Sequence, residues 1–143
     1  MAETLSAGEK AALKELAAER RNQAKREKLE NIAQAELADC LAKIAEMPQP
    51  DQALATSIHE LLAKKFPMLT AKTWYGMPAY QLDGNTICFF QCASKFKTRY
   101  SSLGFQESAK LDVGEFWPIV YAITGFSEAT EKHITELVER AIA

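Results

Sequence analysis

Glycine and proline are scarce in this 143-residue chain, at six and five residues, which excludes a low-complexity or fibrous protein. Long apolar runs are missing as well. No stretch approaches the roughly 20 residues a helix needs to cross a bilayer, so no membrane partner is expected. Histidine is reduced to His59 and His133, and neither belongs to a metal-spaced cluster such as H-E-x-x-H. No charge of one sign dominates: 17 basic residues stand against 19 acidic ones, a net of −2. A bulk field that would recruit nucleic acid is therefore absent, and no nucleic-acid partner is expected. Cysteine is limited to Cys40, Cys88 and Cys92, an odd count that cannot close into a complete set of internal disulfides. If Cys88 and Cys92 share a strand, they sit about 13 Å apart, beyond the roughly 7 Å between Cα atoms that a disulfide tolerates. Reduced, buried thiols of a cytoplasmic protein are the reading that follows. Met1 to Ser6 show neither the basic nor the apolar segment of a signal peptide.

What is present is the composition of a soluble globular domain, 48% hydrophobic and 25% charged. Ser6-Ala7-Gly8-Glu9 reads as a capping box opening a helix, with Ser6 at the N-cap. Leu13, Leu16 and Ala17 follow as a short apolar stripe. The stretch from Glu19 to Glu30 is polar nearly all round and mixed in sign, a solvated helix or arm. From Leu29 the spacing of Leu29, Ile32, Ala33, Leu37, Cys40, Leu41 and Ile44 predicts an amphipathic helix to about Glu46. Met47-Pro48-Gln49-Pro50 stops it. Pro50 suits the first turn of a second helix, whose stripe runs from Leu54 to Phe66. Residues 1–48 are thus read as an N-terminal helical extension and 49–143 as the main domain.

The middle of the chain turns to aromatic and β-branched residues. A strand is expected over Thr70–Tyr75, a break or bulge at Gly76-Met77-Pro78, and a resumption over Ala79–Leu82. Asp83-Gly84 is a strong two-residue hairpin turn. Asn85–Ala93 follows as a strand apolar on both faces, hence central, then Thr98–Leu103 and the β-like run Phe116–Ile123, which Pro118 assigns to an edge or a bulge. Ser127 caps a last helix with Ile134, Leu137, Val138, Ala141 and Ile142 as its stripe.

Catalytic signatures are not found: there is no nucleophile elbow, no phosphate-cradling glycine loop and no paired-carboxylate pattern. The chain reads as non-enzymatic, and no cofactor is expected. One segment does point to binding. If Lys95-Phe96-Lys97-Thr98-Arg99-Tyr100 is extended, Lys95, Lys97 and Arg99 share one face. Residues 72–110 hold five basic against two acidic residues, and residues 111–143 two against six, so the chain is polarised at +3 and −4. Beside the basic strand, Trp74, Tyr75, Met77, Tyr80, Phe90 and Trp117 would line an aromatic pocket for a small anionic molecule.

The run Thr73-Trp74-Tyr75-Gly76-Met77-Pro78-Ala79-Tyr80, the Asp83-Gly84 turn, Cys88-Phe89-Phe90 and Lys95-Phe96-Lys97-Thr98-Arg99-Tyr100 resemble the YdhG-like family of small bacterial domains. The W-x-G-M-P-x-Y core is the most specific piece, and the likeness covers about residues 50–143. It implies an α+β fold, a curved antiparallel sheet of about five strands packed with helices. It implies no settled activity, although some members are described as frataxin-like iron chaperones. That role needs clustered oxygen ligands, for which Asp112, Glu115, Glu128, Glu131, Glu136 and Glu139 are the available carboxylates. Three functions are therefore carried forward: an anion-binding domain, an intracellular iron-binding chaperone, and a structural or oligomerisation module acting through the N-terminal helices.

Overall fold

The computed structural model describes residues 4–143, and the reading of Met1–Glu3 as part of a leader-free start lies outside them. Two compact units are present, residues 1–34 and 35–143. Helix α1 spans Ala7–Ala45 without a break through the polar stretch 19–30. In the first unit it is exposed almost throughout. Its start is held as the capping box requires, the Glu9 amide donating to the Ser6 hydroxyl at 3.1 Å.

The second unit is α+β. The end of α1 is followed by α2 (Asp51–Lys65), β1 (Thr70–Trp74), β2 (Met77–Leu82), β3 (Asn85–Gln91), α3 (Ala93–Phe96), β4 (Ser101–Phe105), β5 (Val120–Ile123) and α4 (Glu128–Ile142). The five strands form an open antiparallel sheet in the order β1-β2-β3-β4-β5. β3 is central, as its two apolar faces require. One contiguous core joins Cys40 and Ile44 of α1, the Leu54–Phe66 stripe of α2 and the Ile134–Ala141 stripe of α4 to Tyr80, Cys88, Phe90, Leu103 and Phe105 of the sheet. A smaller cluster of Met77, Ala79 and Phe89, with Trp74 against it, covers a second patch of strand side chains. There the outer edge of the Phe89 ring meets Gly104, where a Cβ would come within 2.3 Å of the ring. Ser127 caps α4 by accepting from the Thr130 amide.

Two hairpin turns are of the same kind. At Asp83-Gly84 the φ angles are 51° and 82°, and Leu82 pairs with Asn85. At Tyr75-Gly76 they are 50° and 73°, and Trp74 pairs with Met77. Two positive φ values in sequence are the requirement of the turn whose twist matches a hairpin. The expected break at Gly76-Met77-Pro78 is therefore a turn centred one residue earlier, and Met77-Pro78 lies inside β2. Pro78 pairs with Thr73 of β1, while the pairing of β2 with β3 begins at Ala79, so the missing proline N–H interrupts no bond to the central strand.

The segment 95–100 differs more from its expected course. It is not a strand. Residues 93–96 form the single turn of α3, and Lys97, with φ 54°, ends it in the left-handed region. β4 starts only at Ser101. The alternation that would place Lys95, Lys97 and Arg99 on one face does not arise. The β-like run at 116–123 is likewise shortened to Val120–Ile123, an edge strand with Pro118 outside it.

Candidate functional site

The site begins with a carboxylate that the sequence did not single out. Asp51, in the first turn of α2, is only 5% exposed. It accepts hydrogen bonds from the Ser94 hydroxyl at 2.6 Å, the Ser94 amide at 3.1 Å, the Ser101 hydroxyl at 3.1 Å and the Cys92 thiol at 3.2 Å. Three of the four donors converge on Oδ2 and the Ser101 hydroxyl takes Oδ1. Ser101 in turn accepts from the Ala93 amide at 3.0 Å. One side chain thus ties the start of α2 to the end of β3, to α3 and to the start of β4. Burial alone would raise the Asp51 pKa, but the donors outweigh it and hold the carboxyl below its usual value. Burial, with the Asp51 carboxylate alongside, pushes the Cys92 thiol up. Neither group is poised as a base or a thiolate nucleophile.

Two partners of Asp51, Cys92 and Ser94, line a cavity of about 410 Å³, within the range of small-molecule sites. Its floor is apolar: Met47, Pro48, Met77, Pro78, Phe90 and Phe96. Cys92 and Ser94 supply the inner polar edge, and Lys43, Glu46 and Lys95 carry its charge. Lys43 and Glu46 form an exposed ion pair at 3.4 Å. Lys95 has no carboxylate partner among the described residues. Its ammonium donates to the Gly76 carbonyl at 3.1 Å and lies 5.7 Å from the Phe96 ring centre. A Cβ on Gly76 would sit 2.2 Å from that nitrogen, so a side chain there would displace the lysine from the turn, and the positive φ of 73° favours glycine besides.

Of the nine residues that the sequence singled out for binding, Met77, Phe90 and Lys95 line this cavity. The other six lie elsewhere. Trp74 packs on Phe89 with ring centres 5.2 Å apart. Tyr75 is 79% exposed on its turn. Tyr80 is buried in the main core, its hydroxyl 3.0 Å from His59 Nδ1. Lys97 is exposed at the end of α3, and the Arg99 guanidinium sits over its neighbour Tyr100 at 5.4 Å. Trp117 packs against the main core from the connection before β5. Sequence reasoning missed Asp51, Lys43, Glu46 and Ser94. An aspartate after a proline at a helix start has the signature of a first-turn acid, and nothing local marks it as the centre of a buried network.

All three cysteines are free and buried. Burial pushes Cys40 up to about 11 and Cys88 up to about 12, so both stay thiols at neutral pH. Among the described residues no three His, Cys, Asp or Glu side chains come together to hold a metal ion, and Asp112, Glu115, Glu128, Glu131, Glu136 and Glu139 supply no such set. No helix among the described residues is long and apolar enough to cross a membrane. The chain matches no family model, no curated protein and no solved structure.

Proposed function

We propose that this chain is a non-enzymatic binding domain of the cytoplasm that holds a small anionic molecule with an apolar body in the 410 Å³ cavity. The observation that carries the reading is Lys95. Its ammonium has three donors, one is spent on the Gly76 carbonyl, and no carboxylate neutralises it among the described residues. Two N–H groups are left to an anion beside an apolar floor, the arrangement in which a charged group orients a ligand and an apolar surface binds its body. The internally bonded Asp51, held below its usual pKa, and the Cys92 thiol, pushed up, support binding over catalysis, since neither is activated. The likeness of the 73–80 and 95–100 motifs to YdhG-like domains supports the same reading, because Met77, Pro78, Lys95 and Phe96 of those motifs line the cavity. A thermal-shift screen of small carboxylates and phosphates is the test. A hit whose stabilisation is lost in Lys95→Gln is the expected result. No shift across the screen, or an unchanged affinity in Lys95→Gln, would overturn it.

A second reading rests on α1. Leu29, Ile32, Leu37 and Leu41 keep 65%, 46%, 39% and 44% of their surface exposed, and uncovered aliphatic side chains on a helix favour self-association. Light scattering of the full chain decides it, and a monomer at high concentration would end it.

A further inference from the structure

We infer that the cavity is built for a zwitterion, a free α-amino acid with an apolar side chain, and not for a simple anion. The inference rests on the anion-binding reading of the same site and narrows its ligand class. Glu46 is the one carboxylate among the described residues that line the cavity. Asp51, the nearby buried carboxylate, is not among the lining residues and is bonded to four donors of the protein itself. Glu46 is held only by Lys43, three residues earlier on the chain, at 3.4 Å, with the two side chains 40% and 66% exposed. A contact of that kind is weak and screened by water, and a ligand ammonium can replace it without leaving a buried charge behind.

The site therefore offers a cation with spare donors, Lys95, and a carboxylate with an exchangeable partner, Glu46, around one apolar floor of Met47, Pro48, Met77 and Phe90. A simple anion satisfies Lys95 and leaves Glu46 with its weak Lys43 contact. A simple cation displaces Lys43 from Glu46 and leaves Lys95 without an anion. A molecule carrying carboxylate and ammonium together meets both charges with opposite ones, and its side chain takes the floor. Opposed potentials of this kind give specificity more than raw affinity.

Calorimetric titration of the full chain with L-phenylalanine, 3-phenylpropanoate and 2-phenylethylamine separates the possibilities, because the three share a phenylethyl skeleton and carry both charged groups, the carboxylate alone and the ammonium alone. L-phenylalanine is expected to bind about two- to fivefold more tightly than either relative, the factor that one exposed ion pair supplies. Glu46→Gln removes its advantage over 3-phenylpropanoate without weakening 3-phenylpropanoate. Lys95→Gln weakens both by about two- to fivefold. Melting temperatures of the two variants confirm that each is folded. If 3-phenylpropanoate binds as tightly as L-phenylalanine, or if Glu46→Gln keeps the preference, the zwitterion inference is wrong and the anion reading stands. If 2-phenylethylamine binds best, both fail. If none of the three gives heat, the inference fails, and the screen of carboxylates and phosphates decides the anion reading separately.

Discussion

Replacing Asp51 is the sharpest test of how this unit holds its cavity together. In Asp51→Ala the four donors lose their acceptor. Ser94 belongs to an exposed residue, so water takes over its hydroxyl and amide at little net cost. Ser101 and Cys92 are 3% exposed each and have no such replacement. A buried hydroxyl left without a partner costs about 1–3 kcal/mol, and each hydrogen bond to a charged acceptor contributes about 1.5–3 kcal/mol. Taking the two buried donors and discounting the two that rehydrate, the loss is about 3 kcal/mol, a large share of the 5–15 kcal/mol typical of a domain. Urea unfolding followed by circular dichroism measures it directly, and the melting temperature falls by roughly 10 °C. Asp51→Asn should be no rescue, because its amide turns N–H donors toward donors. The pH dependence carries a sign. The Asp51 carboxyl titrates below its ordinary value of 3.8, so its contribution is complete above that pH and is lost as the pH falls through the lower folded value. The gap between wild type and Asp51→Asn therefore narrows on acidification. In a double-mutant cycle, Asp51→Ala and Ser101→Ala should couple by about 1 kcal/mol or more. An Asp51→Ala protein within about 0.5 kcal/mol of wild type would refute the argument, since that is the range of a neutral surface change.

Three further outcomes follow from single contacts. Burial lowers the His59 pKa below 6.5, so the stability it contributes is present above that value and lost as the pH falls through the folded one; His59→Gln should flatten this arm of the stability profile, and Tyr80→Phe should cost about 1 kcal/mol at pH 7 by removing the hydroxyl bonded to His59. Gly104→Ala would drive a methyl into the Phe89 ring and should destabilise by about 1–3 kcal/mol in chemical denaturation, whereas Gly104→Ala with Phe89→Leu recovers part of the loss. Tyr75→Asn should do the opposite and raise stability by about 0.5–1 kcal/mol, because Asn accepts the left-handed conformation of a turn where Tyr75 is 79% exposed; a lower melting temperature would show that its edge contact with Trp74 outweighs the strain.

Local chemistry made much of this fold legible in advance. The Ser6 and Ser127 caps, the apolar stripes of α2 and α4, the stop at Met47-Pro48 and the Asp83-Gly84 hairpin each follow from a few neighbouring residues. The α+β class and the central place of β3 follow from patterning that a sheet enforces along its whole length. The Tyr75-Gly76 turn was obscured because a tyrosine occupies a position that usually signals itself with Asn, Asp or Gly. Lys95 to Tyr100 has the alternation of a strand, yet Lys95 and Phe96 are wound into the single turn of α3 by partners far away in sequence, and no strand starts before Ser101. Ser94 and Cys92 are drawn to Asp51, more than forty residues earlier, and a buried carboxylate must collect its donors wherever the chain can bring them.

The sequence by itself determined the long helices, the Asp83-Gly84 hairpin and the apolar faces of both, because those depend on residues three, four or two apart. Only the tertiary structure decided which lysine meets a cavity, which aromatic rings are core, and that Asp51 is the tie between them. Those outcomes are set by contacts across long stretches of chain, where pairing of buried polar groups outweighs the local preference for an extended strand.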